Sequence, residues 1–235
     1  MQNLSKIVSV IVPTYNRGSF LRKKIRECEF LEQKGFDVEF VFVVEENDFK
    51  SIQILKQSNI KSIKLAFNNT LPEFAARTGL NNSSSKYAIF MGDDDYFNLN
   101  TDKEIENLKF IFDDLKKNNY PWAIAQSSYV NSNGKKNRIL MTLIKKFLLK
   151  NYSKYLISIV NFIMTPSVFI KKDLVSDDTY FDPNFRYSQD YFTWFKFSRN
   201  FKPKVYDYEI SRVTFGDYSI SGSFNFSRYI DYFKY

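Results

Sequence analysis

The chain reads as an α/β fold with a mainly parallel central sheet flanked by helices, and three observations predict it. Continuous β-branched runs, of which "KIVSVIVPTYN" is the first, are the habit of strands buried on both faces. Between these runs lie segments whose apolar residues recur at helical spacing. The two kinds of segment alternate through the first half of the chain, as in a parallel sheet built with crossover helices.

Taken in order, the first run closes at Pro13, and Ser19 is placed to cap a helix with Leu21, Ile25, Cys28 and Leu31 on one face. "DVEFVFVVEEN" is a second apolar strand ending in acids, "SIQILKQSN" a helix and "IKSIKLAFN" a third strand. "LPEFAARTGLNNSSS" is helical through its alanine-rich centre, and "KYAIFMGDDD" is a fourth strand. Thr101 and Glu104 then form a capping box for a helix carrying Ile105, Leu108, Phe112 and Leu115. "WAIAQSSYVNSNGKK" is a strand running into a turn at Asn133 and Gly134. Beyond it the alternation fades. A strand at "PSVFIKK" and a helix at "DYFTWFKFSRN" complete the same domain as an α+β half.

A chain of 235 residues suits one domain, 1–235, with a core that needs no staples. The lone Cys28 cannot form an intramolecular disulfide, and the N-terminus lacks the pattern of a signal peptide, so a cytoplasmic setting is expected. No apolar run approaches the roughly 20 residues of a membrane span. The formal charge of +8 favours an anionic partner: nucleic acid, an acidic membrane surface or a phosphorylated substrate. "KKNRILMTLIKKFLLKNYSKYLISIVNFIM" alternates lysine with large apolar residues, and the favoured reading is amphipathic helices packed on the domain. The other is a basic helix resting on anionic lipid. The absence of histidine excludes a Ser-His-Asp triad, a histidine base and His-ligated zinc.

"PTYN", "VEEN" and "GDDD" all follow strands and should converge on the edge where open parallel sheets bind ligands. Asp93, Asp94 and Asp95 are either a solvated turn or oxygen ligands for a hard divalent cation, Mn²⁺ or Mg²⁺, completed by water and substrate phosphates. Position after a buried strand favours the second. A basic RNA- or membrane-binding module would account for the charge but not for these acids, which repel phosphate unless a cation intervenes. No RNA-binding signature is present, so no nucleic-acid partner is expected. A nucleotidyltransferase would carry a Gly-rich basic loop after the first strand, which "PTYNRGSF" does not supply.

In their order and spacing, "VSVIVPTYNR", the acidic pair after the second strand, "AARTGLNNSSSKYAIFMGDDD" and "FDPNFRYSQDYFTWFKFSR" resemble the family 2 glycosyltransferases of GT-A fold. The resemblance implies a Rossmann-like domain, with 1–98 binding the nucleotide sugar and 99–235 the acceptor. It also implies inverting transfer of a hexose from a nucleotide diphosphate donor, with uracil the favoured base, using Mn²⁺ or Mg²⁺. The expected acceptor is a saccharide or lipid-linked saccharide of cell-surface polysaccharide or glycolipid assembly, with peripheral contact to anionic membrane.

Carried over residue by residue, the family's Asp-x-Asp-Asp strand end falls on Gly92, Asp93, Asp94 and Asp95, so Gly92 replaces the first acid. Asp94 matches the metal-reaching acid and Asp93 the neighbour of the donor's ribose or sugar, while Asp95 orients the turn or the helix that follows. Tyr15, after Pro13 and Thr14, matches the residue that packs on the base, with Asn16 and Arg17 beside it. Glu45 and Glu46 stand for two aspartates, the second a base contact. Arg77 matches an arginine that meets a donor phosphate or braces an acid. Gln189 and Asp190 replace Glu-Asp, and Asp190 is the expected base for the acceptor hydroxyl, or else a helix cap with Ser188 as rival. "VTFGDYSISGS" offers Asp217 as a substitute metal ligand.

Overall fold

The opening apolar run forms β1 (Val8–Pro13), and it sits mid-sheet because strands pair with both its edges. β2 (Val38–Val44) and β4 (Tyr87–Phe90) run parallel to it, Val8 lying opposite both Val38 and Tyr87. β3 (Ile63–Phe67) continues the parallel set beyond β2. The crossovers are α1 (Gly18–Gln33), α2 (Phe49–Lys56) and α3 (Ala75–Asn82). The structure is a computed structural model that describes residues 6–67, 74–131, 133–152, 154–159, 161–175, 181–182 and 189–215.

The later strands extend this sheet rather than starting another, in the order β3-β2-β1-β4-β8-β6-β9-β5. β8 (Val168–Lys171) is antiparallel to β4 and to β6 (Trp122–Val130), and β9 (Lys204–Thr214) is parallel to β6. β5 (Tyr96–Phe97) pairs antiparallel with β9. A short β7 (Lys136–Asn137) folds back on β6 around Gly134, whose φ of +75° favours glycine. α4 (Asp102–Lys117) starts with the expected Thr101–Glu104 capping box.

Alternation along the strands divides the core between the two sheet faces. Val8, Val10, Val12, Phe40 and Phe42 pack with Leu21 and Leu31 of α1 and Leu108 and Phe112 of α4. Ile11, Val41 and Val43 face the other side with Leu80 of α3 and Trp194 and Phe197 of α7 (Gln189–Asn200). There α3 lies so close that a Cβ at Gly79 would stand 2.2 Å from Ile11 Cγ2. At the amino-terminal edge of the parallel strands, Glu39 is buried and pairs in register with Ser9. It accepts hydrogen bonds from Ser9, from the Ser84 hydroxyl at 2.7 Å and from Ser85 N at 3.1 Å, and it pairs with Lys64 at 2.8 Å.

One expectation is corrected. Ser19 does not cap α1: the helix starts at Gly18, and the N-cap residue, Arg17, makes no side-chain cap bond because its guanidinium is turned toward Asp93. The lysine-rich segment, read as amphipathic helices packed on the domain, forms α5 (Ile139–Lys150) and α6 (Lys154–Ile157), which place Leu149 and Ile157 in the core, although α5 buries only Thr142 and Leu149. Ile139, Leu140, Leu143, Ile144 and Phe147 are exposed, while Leu148 and Leu149 pack with the core that holds Trp122 and Phe162. Among the described residues no helix is long and apolar enough to cross a membrane.

Candidate active site

Because β1, β2 and β4 are parallel and in register, their carboxyl ends finish at one edge. They open there into a cleft of about 650 Å³, within the range of small-molecule sites. Pro13, Thr14, Tyr15, Glu45, Gly92 and Asp93 line one side, and Thr165, Pro166, Gln189 and Asp190 the other. The three strand-end motifs and the "QD" pair therefore meet, although Asp190 lies almost a hundred residues beyond Asp93 in sequence.

The turn after β1 is set by Asn16, which adopts a left-handed φ of +51° that asparagine tolerates better than most residues. Its backbone N–H donates to Asp48 Oδ2 at 2.6 Å, and Asp48 Oδ1 accepts from Ser51 N at 3.1 Å as the cap of α2. Asp48 thus ties the first strand's loop to the second crossover. Tyr15 is left 55% exposed with its ring on the cleft.

The three aspartates are unequal. Asp93 is buried; it accepts from the Thr14 hydroxyl at 2.7 Å and from Arg17 Nη1 at 2.8 Å. The same Arg17 nitrogen lies 3.2 Å from Asp94 Oδ2. Burial raises the pKa of Asp93, against the pull of Thr14 and Arg17. Arg17 sits above its ordinary value because Asp93 and Asp94 outweigh its own partial burial. Asp95 faces inward, accepting from Gly92 N at 3.3 Å and Thr214 N at 3.0 Å, and burial followed by the charge of Asp94 pushes it up to about 7. A side chain at Gly92 would meet Asp94 Oδ1 at 2.8 Å, so the folded-back carboxylates fill the space of the missing acid.

Residues that periodicity could not assign brace this turn. Lys24 is fully buried; it pairs with Glu27 at 2.6 Å, donates to the carbonyl of Asp95 and lies 5.4 Å from the Tyr96 ring centre. Glu27 accepts from Phe97 N, and the Thr214 hydroxyl donates to the Asp94 carbonyl. The available signal for Lys24 was its position: a lysine between Leu21 and Ile25 stands on the inward stripe of α1.

On the far wall, Asp190 occupies the first turn of α7. Its Oδ2 accepts from the Thr165 hydroxyl at 2.6 Å and its Oδ1 from Tyr191 N at 2.7 Å. Glu46 is exposed and, like Arg77 and Asp94, is not among the residues lining the cleft, whereas Glu45 is. Ser188 and Asp217 lie outside the described residues.

The donor set suits a hard divalent cation as about a third of a six-coordinate shell. Asp93 Oδ1 and Asp94 Oδ2 converge on one nitrogen of Arg17, so two carboxylate oxygens already share a cation. Among the described residues no three His, Cys, Asp or Glu side chains group to hold a metal on their own. The remaining ligands would have to be water and substrate oxygens.

The family described as Glycosyl transferase family 2 matches residues 9–175. No curated protein matches the sequence. Among solved structures, S. aureus TarS 1–349 in complex with UDP superposes with a TM-score of 0.64 at 23% identity, over 88% of this chain and 60% of that one. The mannosyltransferase PcManGT from Pyrobaculum calidifontis, in complex with GDP-Man and Mn²⁺, gives a TM-score of 0.60 at 12% identity, over 92% of this chain and 59% of that one. The chain thus spans about 60% of the length of the TarS fragment, and the likeness is one of fold.

Proposed function

The chain belongs to glycosyl transferase family 2, and on that premise we propose that it moves a hexose from a nucleotide diphosphate donor, a UDP-sugar, to an acceptor hydroxyl with inversion. The observation that carries the reading is the meeting in one cleft of the Tyr15 loop, Asp93 and Asp190. A base stacks on the exposed face of Tyr15, with Thr14, Glu45 and Glu46 at its edge and Asp93 toward the ribose or sugar. Arg17 and Arg77 supply positive charge on the diphosphate side. Mn²⁺ or Mg²⁺ held by Asp94, with the donor completing its shell, would neutralise charge on the leaving diphosphate.

Asp190 takes the acceptor's proton as its oxygen bonds to the anomeric carbon, and the bond from that carbon to the diphosphate breaks with its electron pair leaving on phosphate oxygen. Thr165 holds the Asp190 carboxylate toward the cleft, and Gln189 stands beside it. Residues 1–98 serve the donor and 99–235 the acceptor, within one domain. The acceptor is a saccharide or lipid-linked saccharide of cell-surface polysaccharide or glycolipid assembly, at the cytoplasmic face.

The test is calorimetry with a panel of nucleotide sugars, with and without Mn²⁺, on the wild type and Asp94→Ala. Mn²⁺-dependent binding of a UDP-sugar that Asp94→Ala abolishes is expected. Binding indifferent to both metal and Asp94 would refute the assignment.

A further inference from the structure

We propose that the outward face of α5 seats the protein on an anionic lipid surface. α5 reverses the usual sense of an amphipathic helix. Thr142 and Leu149 point inward, while Ile139, Leu140, Leu143, Ile144 and Phe147 are exposed, Leu140 at 72% and Phe147 at 65%. At helical spacing these five fall in one arc turned away from the two buried positions, with Lys150 at its C-terminal end. The orientation is fixed from inside: Lys146 pairs with Glu209 of β9, and the Thr142 hydroxyl accepts from Tyr129 N of β6 at 3.3 Å. The helix cannot roll its apolar arc inward without breaking both contacts.

The occupant follows from charge. Across α5 and the stretches that flank it, from Lys135 to Lys154, the chain contains no Asp or Glu and seven Lys or Arg, so the sequence that carries the apolar arc is cationic. An outward apolar arc beside lysines is the form taken by helices that lie in the headgroup region. A second copy is disfavoured, because a two-fold contact through α5 would bring identical lysines together. The location also suits a membrane. Lys146 and Leu149 share a small depression with Met164 and Ser167, which flank the Thr165–Pro166 turn in the acceptor wall of the cleft. A bilayer under α5 would lie on the side of Asp190 and present an acceptor carried on a lipid. That last step rests on the sugar-transfer reading; attachment to the surface does not.

Co-sedimentation with phosphatidylglycerol-containing and pure phosphatidylcholine vesicles, at low and high salt, tests the proposal. The full chain should sediment with the anionic vesicles, less so at high salt. Leu140→Glu combined with Phe147→Glu, both at exposed sites, should weaken binding at least about tenfold. Lys150→Gln should weaken it about fivefold, the equivalent of one surface cation. Four results would overturn the proposal: no sedimentation with anionic vesicles at low salt, equal binding to neutral vesicles, binding unchanged in the double variant, or a wild-type dimer that the double variant dissociates. UDP titrations on the same samples keep the two readings apart. Vesicle binding without UDP binding sinks only the reading of the cleft, and the reverse sinks only the surface.

Discussion

Arg17→Gln probes how the aspartate turn holds its charge. In the wild type one guanidinium nitrogen serves Asp93 at 2.8 Å and Asp94 at 3.2 Å, and without it Asp93 keeps only the Thr14 hydroxyl among these partners. Removing one partner of a buried ion pair costs about 3–5 kcal/mol. The Arg17 side chain is 30% exposed, so water replaces part of what is lost, and we expect a loss of about 2 kcal/mol in urea unfolding with an unchanged slope. The two carboxylates would then be left to share another cation. Mn²⁺ at about a hundred times its dissociation constant would restore about 2.7 kcal/mol to the variant and less to the wild type, where arginine competes. A variant as stable as the wild type to within about 0.5 kcal/mol, or equal protection of both proteins by Mn²⁺, would refute the shared-cation argument.

Asp190→Asn should leave UDP affinity unchanged while transfer falls by about two to four orders of magnitude; surviving transfer would reduce Asp190 to a helix-start residue. Glu39 is held at about 2 rather than 4.5: burial alone would raise it, and the bonds from Lys64, Ser9 and Ser84 outweigh that. Its folded pKa being depressed, the stabilisation is present above pH 4.5 and lost as pH falls toward 2. At about 1.4 kcal/mol per unit it amounts to about 3 kcal/mol, so Glu39→Gln should lose about that much at pH 7 and flatten the acid limb of a stability profile. Gly79→Ala should cost about 1–3 kcal/mol by pushing α3 off Ile11, and should weaken UDP binding because Ala75 and Ala76 line the cleft; normal stability and affinity would contradict the close approach.

Much of the fold was legible because these elements carry their own local patterns: buried runs for the parallel strands β1, β2 and β4, the Thr101 box for α4, the Asn133–Gly134 turn for the antiparallel β6–β7 hairpin. Strand ends that open on a cleft are polar, so the side of it lined by Thr14, Glu45 and Asp93 was legible for the same reason. What escaped were contacts made across sequence. Glu39 looks like one polar residue in an apolar run until Ser9 and Lys64 are placed beside it. Asp48 follows two acids that attract more notice, yet it is the one that locks the Asn16 turn. Lys24 was hidden by the habit of assigning lysine to solvent. For α5 periodicity correctly gave an amphipathic helix but could not say which face looks inward, since that depends on Glu209 some sixty residues later.

The clamp on the aspartate turn also sets an order of assembly. Asp95 and Thr214 are separated by 119 positions, and β5, which follows the aspartates, finds its strand partner only in β9. A nascent chain that has emerged as far as Asp95 therefore holds every residue of the aspartate turn but not the geometry among them, with the Asp95 carboxylate lacking its Thr214 donor. A fragment ending before Lys204 should bind UDP far more weakly than the whole chain, and full-strength binding by that fragment would disprove the dependence. The strands that carry the aspartate turn behave less like a ready-made module than like an arch whose keystone is laid more than a hundred residues later.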